Sequence, residues 1–233
     1  MREKKSLDDL NHRSIIQKAP FMGAFFDLFL PNTCLICSET IEADSLICRK
    51  CLESIASLKP SGTFKKTRHC SRIYYYDLYD SPLTDIIKRY KYSRHILLGR
   101  FLAYFVFILL RYWRIESPVI PVPSHRRAVA DRGFSAAENI LFECRKLYMK
   151  QLKFLSPVIR TGEYKPQASL KGARLRRENA ERSFKIKRGV DIPERLCLFD
   201  DIITTGSTLD RIAGLMKRNT KEITGVVLVN RGG

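Results

Sequence analysis

Acid is scarce in this chain. Its 233 residues hold 24 Asp and Glu against 42 Lys and Arg, leaving a formal charge of +18. That deficit disfavours a cationic partner and favours a polyanion, whether nucleic acid, a phosphorylated metabolite or an anionic lipid surface. A merely solvated basic surface is the bland alternative. Long apolar runs are also missing. "FMGAFFDLFL" (21–30) carries Asp27 and "LLGRFLAYFVFILL" (97–110) carries Arg100. Both fall short of the about 20 residues that a bilayer demands. No transmembrane segment is therefore expected, and the second run reads as a largely buried helix. The first fourteen residues, MREKKSLDDLNHRS, lack a secretory signal pattern and read as a loose polar tail. Internal repeats and low-complexity segments are absent. The expected location is cytoplasmic, or peripheral at the inner face of the membrane.

An apolar content of 45% with 28% charged residues belongs to a globular chain with one sizeable core and a small appendage. Cysteine is present as an odd set of seven. Four form two knuckles, "CLIC" with Cys34 and Cys37 and "CRKC" with Cys48 and Cys51, in the pattern C-x2-C-x10-C-x2-C. Each knuckle can aim two sulfurs at one point, and two knuckles supply a tetrahedral shell of four sulfurs suited to Zn²⁺. With four thiolates there is no open position for water, so such a zinc is structural. About twenty residues cannot build a core unaided, and metal binding would supply their folding energy. A redox dithiol or four core-filling thiols are the alternatives. Cys70, Cys144 and Cys197 stand alone in the sequence and read as core filling.

Beyond a loop at 59–70, helical and extended patterns alternate. Residues 73–76 form an aromatic strand, and Ser81 can cap a helix that opens at Pro82. A buried helix follows at 96–113, then a short strand from Val119 to Val122 and a basic loop, "RRAVADRGF". Residues 135–150 have good helical periodicity. Between Lys171 and Arg188 lie eight basic residues and two acids. "LCLF" (196–199), "STLDRIAGLMKR" (207–218) and "ITGVVLVN" (223–230) read as strand, helix and strand. Short strands that are apolar throughout, separated by helices, predict an α/β fold with a parallel sheet. Ligands of such sheets sit beyond the carboxyl ends of the strands.

"DDIITTGST" lies at one of these ends. The strand delivers Asp200 and Asp201 to the sheet edge, and Thr204, Thr205, Gly206, Ser207 and Thr208 wrap into the first turn of a helix. Backbone N–H groups, hydroxyls and the helix dipole there make an anion pocket, and Gly206 lets the backbone come close. Two carboxylates beside a phosphate site can accept hydrogen bonds from vicinal hydroxyls. A ribose 5-phosphate has that chemistry.

"CLFDDIITTGST" resembles the phosphoribosyl pyrophosphate (PRPP) signature of type I phosphoribosyltransferases. The resemblance implies that Asp200 and Asp201 bind the ribose hydroxyls, that residues 204–208 cradle the 5-phosphate, and that Mg²⁺ accompanies the pyrophosphate. More narrowly, the chain from about Leu28 onward resembles the ComF family of phosphoribosyltransferase-like proteins, associated with natural competence. "LPNTCLICSE", "YYYDLYDSPLTDIIKRYKY", "VIPVPSHRRAVADRGFSAAENI", "PQASLKGARLRRENAERSF" and "VVLVNRGG" are similar, in order, to that family's blocks. The implied division is a tail and apolar lead-in at 1–27, a four-cysteine zinc finger at 28–58 and a phosphoribosyltransferase-like domain at 70–233. Ser135 and Ala136 depart from the family's usual Asn-Gln, and "KYSRH" (91–95) lacks its usual glycine.

In type I transferases a loop after an early strand binds pyrophosphate. Here "PSHRRAVADRG" stands in that place, offering Ser124, His125, Arg126, Arg127 and Arg132; Lys88 and Lys91 are weaker candidates. Lys171, Arg174, Arg176 and Arg177 lie where a flexible loop closes over the ligand in catalytic relatives, and could instead grip a nucleic acid backbone. No aromatic-plus-acid motif identifies an acceptor site. Two functions stay open. One is a PRPP-binding protein of DNA uptake that handles single-stranded DNA, with a competence helicase as a possible partner. The other is a Mg-dependent glycosyl transfer from PRPP to an unidentified acceptor in nucleotide metabolism.

Overall fold

A computed structural model of the protein describes residues 33–41, 47–56, 60, 62–64, 67–79, 81–92, 95–161 and 184–231. At its centre is a five-stranded sheet. The strands are β1 (Gly62–Phe64), β2 (Arg72–Leu78), β3 (Val119–Pro121), β6 (Arg195–Ile203) and β7 (Glu222–Asn230), in the order β1-β2-β7-β6-β3. All neighbours are parallel except β1, which closes one edge antiparallel to β2. The α/β expectation with its parallel sheet holds. Leu196 to Phe199 and Val226 to Val229 are buried on both faces, as their unbroken apolar runs require.

Helices cover one face: α2 (Pro82–Tyr92), α3 (Leu98–Tyr112) and α5 (Ala136–Leu147). Their apolar residues join Tyr76, Phe199 and Val226 in one core. The run read as a buried helix is α3, and Arg100 on its flank turns toward Glu143 of α5 at 3.7 Å. Gly99 permits this packing, since a Cβ there would stand 2.5 Å from the Asn139 amide nitrogen. On the other face, α6 (Ser207–Met216) packs with Ile73, Ile120 and Leu198 in a second core. A two-stranded antiparallel ribbon, β4 (Val158–Arg160) with β5 (Phe184–Ile186), contributes Val158 and Phe184 to it. At the N-terminal side, α1 (Arg49–Ala56) begins within the second cysteine knuckle and carries Cys51, and Cys34, Ile47 and Ile55 are buried in the first core.

Four local expectations change. β1 lies inside the stretch read as loop, paired to Ile73–Tyr75. β4 and β5 emerge from the edges of the charged segment at 160–188, each only three residues long. The basic "loop" is a helix, α4 (Arg126–Arg132), capped by His125 and closed by Gly133 at φ 87°. It buries no residue, so no apolar periodicity marks it. Finally, β6 does not stop at Phe199 but runs through both aspartates to Ile203, because β7 offers ladder partners as far as Asn230.

Candidate functional site

The cysteine knuckles meet. The sulfurs of Cys34, Cys37, Cys48 and Cys51 all lie within 4.8 Å of one another, with Cys37 and Cys48 at 3.6 Å. Tetrahedral zinc with Zn–S of about 2.3 Å sets its sulfurs about 3.8 Å apart, so the cluster fits the metal. Backbone N–H groups already point at the sulfurs: Ile36 and Cys48 donate to Cys34 Sγ at 3.4 and 3.3 Å, and Cys51 donates to Cys48 Sγ at 3.4 Å. Burial works against the Cys34 thiolate, but the backbone N–H groups of Cys37, then Cys48 and Ile36, outweigh it and bring its pKa down to about 7. Burial and then the crowding of the other thiols push Cys51 the opposite way. Four thiolates cannot share this space without a cation, and structural Zn²⁺ meets that need. The finger is anchored from outside by Arg89 of α2, whose guanidinium donates to Ser38 Oγ at 3.5 Å.

The second site gathers at the carboxyl edge of β6. Asp201 is almost fully buried, at 3% exposure, and one of its oxygens accepts from Lys91 Nζ at 2.7 Å. Burial disfavours the Lys91 ammonium, but the Asp201 charge and hydrogen bond raise its pKa nonetheless. Asp200 is half-buried and accepts from the Asp201 N–H at 2.9 Å. Burial, and next the neighbouring Asp201 charge, push the Asp200 carboxyl up to about 7. The adjacent acids therefore differ in role: one is locked to a lysine, the other is poised near neutrality.

Immediately after β6, Gly206 adopts φ 73° and opens α6, a left-handed turn that a side chain would resist. Thr204, Thr205 and Ser207 are exposed around it and Thr208 is half-exposed. Thr205 Oγ1 lies 3.1 Å from Ser207 Oγ and accepts the Ser207 N–H at 3.4 Å. The hydroxyls are thus gathered at the helix start.

The turn after β3 emerges beside this one. β3 pairs with β6, and the Val122 N–H donates to the Phe199 carbonyl at 2.8 Å. Ser124 to Arg132 consequently start next to the aspartates. The side chains there hold one another: Arg132 donates to Ser124 Oγ at 2.8 Å and to the Phe134 carbonyl at 3.0 Å, and Ser124 Oγ also accepts the Ala136 N–H at 3.3 Å. His125 Nδ1 accepts the Arg127 N–H at 3.2 Å. Arg132 thus braces the turn, while Arg126 and Arg127 are exposed. The R-G-F run has a physical reason. Arg132 ties the turn, Gly133 reverses the chain, and Phe134 packs on Tyr90 with ring centroids 5.0 Å apart. Tyr90 in turn donates to the Ala136 carbonyl and accepts from Asn139, both at 3.0 Å.

Lys171, Arg174, Arg176 and Arg177 fall outside the described residues. Among the described residues, the cysteine quartet is the only cluster suited to a metal, and no helix is long and apolar enough to cross a membrane. Sequence reasoning underrates Lys91 and misses Tyr79 and Arg231. A signal for Lys91 exists: it stands four residues after buried Ile87 and next to buried Tyr90, so it borders the core-facing side of α2.

Comparison with known proteins agrees with the zinc reading of the knuckles. Residues 25–63 match the family described as a double zinc ribbon domain. Competence protein ComFC of Streptococcus pneumoniae is 31% identical over 140 residues, covering 60% of this chain and 59% of that protein. DNA utilization protein YhgH of Escherichia coli K12 is 29% identical over 194 residues, covering 80% and 84%. Competence protein F of Haemophilus influenzae is 25% identical over 148 residues, covering 60% and 64%. The match spans less than two thirds of the two competence proteins and more of the Escherichia coli one.

Proposed function

We propose that this member of the ComF family handles single-stranded DNA during uptake and recognises PRPP, or a similar ribose phosphate, at the carboxyl edge of β6. The relatives' names, two for competence and one for DNA utilization, support the role in DNA uptake. The observation that carries the ribose-phosphate reading is the pairing of Asp200 and Asp201 with the Thr204–Thr208 turn at one strand end. Carboxylates repel the phosphates of DNA, so DNA binding alone gives no reason to keep two of them there.

In this reading the turn's N–H groups and hydroxyls take the 5-phosphate, and Asp200 accepts from a ribose hydroxyl. Lys91 holds Asp201 in place and adds positive charge on the side where further phosphates would lie. Arg126 and Arg127 offer charge to a pyrophosphate from the neighbouring turn. Mg²⁺ would enter with the pyrophosphate and be held mainly by its oxygens, screening its charge. The carboxylate pair also favours the second reading, a glycosyl transfer. There an acceptor would form a bond to C1 of the ribose as the C1–O bond to pyrophosphate breaks, and positioning and charge neutralisation would supply the catalysis.

Single-stranded DNA is then expected to bind through the basic segment at 171–188 together with the turn at 125–132. Each phosphate neutralised releases a counterion, so affinity should fall steeply with salt. A filter-binding salt titration tests this. Replacing Arg174, Arg176 and Arg177 by Ala should flatten the slope, whereas equal slopes would leave that segment a solvated one.

A further inference from the structure

A pocket of about 340 Å³ is lined by Ile202, the residue after Asp201, and by Lys91, its ion-pair partner. Four elements build it. Tyr79 follows β2, Lys88, Lys91 and Tyr92 come from α2, Ile202 from β6, and Arg231 follows β7. Backbone hydrogen bonds fix its rim, because the Tyr79 N–H donates to the Asn230 carbonyl and the Arg231 N–H to the Ile203 carbonyl, each at 2.8 Å. Arg231 lies over the Tyr79 ring at 4.6 Å and Lys88 over the same ring at 5.3 Å.

The charges in this pocket are unevenly answered. Lys91 is matched by Asp201 at 2.7 Å, and among the described carboxylates Lys88 meets only the exposed Asp85, at 3.4 Å. Arg231 makes no ion pair with a described carboxylate, and its guanidinium rests on an aromatic face. Next to these cations Tyr92 is 81% exposed, a ring left in water at the mouth of a basic cavity. Cations that track a phosphate backbone, alternating with aromatic faces for bases, are the composition of single-strand nucleic acid sites. An acidic peptide would have use for the cations but not for an exposed flat ring.

We propose that this pocket is a nucleotide subsite for single-stranded DNA, in which Lys88 and Arg231 hold a backbone phosphate and Tyr92 stacks a base. The inference rests on the DNA-handling reading and adds to it a place where a base, rather than the backbone alone, is gripped. Lys91 joins the two sites, since it lines this pocket while holding Asp201. A strand seated here would therefore lie against the ribose-phosphate site.

The test is fluorescence anisotropy with the full chain and two labelled probes, an oligo-dT and the same strand with an abasic run. The wild-type chain should prefer the oligo-dT. Tyr92→Ala should lose that preference and weaken oligo-dT binding by about 5- to 150-fold, the range expected for one stacked base. The Lys88→Gln, Arg231→Gln pair should instead weaken both probes alike and lower the magnitude of the salt slope by about 0.7, as loss of one phosphate contact on a single strand requires. Melting curves that match wild type would show that each variant is folded; Tyr92 is exposed enough for its variant to pass. If wild type binds oligo-dT but both variants bind it as tightly and with equal slopes, the pocket proposal is overturned while DNA handling stands. Failure of the wild-type chain to bind either probe would overturn both.

Discussion

The cysteine cluster and the β6 edge are both sites of crowded negative charge, and they resolve the crowding in different ways. At the knuckles, four sulfurs are drawn together from short sequence separations, an arrangement that a metal cation neutralises. At β6, two adjacent carboxylates are relieved from within: Lys91, 110 residues away in sequence, supplies one cation to Asp201, and Asp200 is relieved by keeping its proton near neutrality. The first solution makes a part of the fold depend on an outside ion. The second builds a site that is already charge-balanced before a ligand arrives, with one carboxylate held rigid and the other free to respond.

The largest effect expected from that contrast is on the knuckles. The protein should contain one Zn²⁺ per chain by elemental analysis. Small zinc modules gain about 10–16 kcal/mol in apparent binding, so Cys48→Ser or a strong chelator should unfold the finger. The parallel sheet, with its own two cores, should survive, giving a chain that loses N-terminal protection in hydrogen exchange yet still melts cooperatively. Full retention of finger protection without metal would erase the contrast.

Next comes Lys91→Met, which strands a buried carboxylate. Breaking such a pair from one side costs about 3–5 kcal/mol, and the low end is expected because the Lys91 side chain keeps 22% exposure. Urea unfolding measures it. Adding Asp201→Asn to Lys91→Met should recover part of the loss, since the charge left behind is then removed.

A pH effect of intermediate size should come from Asp200. Its ordinary value is 3.8 and its folded value about 7. Between these values the folded chain keeps a proton that the unfolded chain has released, so this group weakens the fold as pH rises through that window. Thermal melts of Asp200→Asn against wild type from pH 4 to 8 should show wild type losing ground steadily until about pH 7 and levelling above it. Parallel melting curves would mean that Asp200 ionises as an ordinary carboxyl.

The smallest effect belongs to Gly206→Ala. A left-handed φ of 73° costs a side chain roughly 1–2 kcal/mol, a shift visible in the same urea titration. No change would show that the turn relaxes to another conformation.

The same contrast explains what the sequence could reveal. Zinc ligands announce themselves because C-x-x-C is a local geometry, and the parallel sheet because "LCLF" and "VVLV" are apolar without a break. The aspartates and their turn were legible for the same reason, being consecutive. Lys91 was only half legible: its spacing from Ile87 and Tyr90 puts it at the border of the core-facing side of α2, but nothing local says that Asp201 waits there. Tyr79 and Arg231 were not legible at all, for they meet only through the pairing of β2 with β7, whose strands are far apart in the chain. Helix α4 was hidden for another reason: with no buried residue, its stability comes from the His125 cap, the Gly133 reversal and the Arg132 brace, none of which leaves a periodic trace.

Whether the β6 edge is a ribose-phosphate site or only an acidic turn is tested most directly by isothermal calorimetry with PRPP and Mg²⁺. Ribose 5-phosphate serves as the shorter ligand and Asp200→Asn as the altered site. PRPP should bind, ribose 5-phosphate should bind more weakly for want of the pyrophosphate contacts, and Asp200→Asn should weaken both while the chain stays folded. No heat and no melting shift at millimolar PRPP with Mg²⁺ would contradict the ribose-phosphate site.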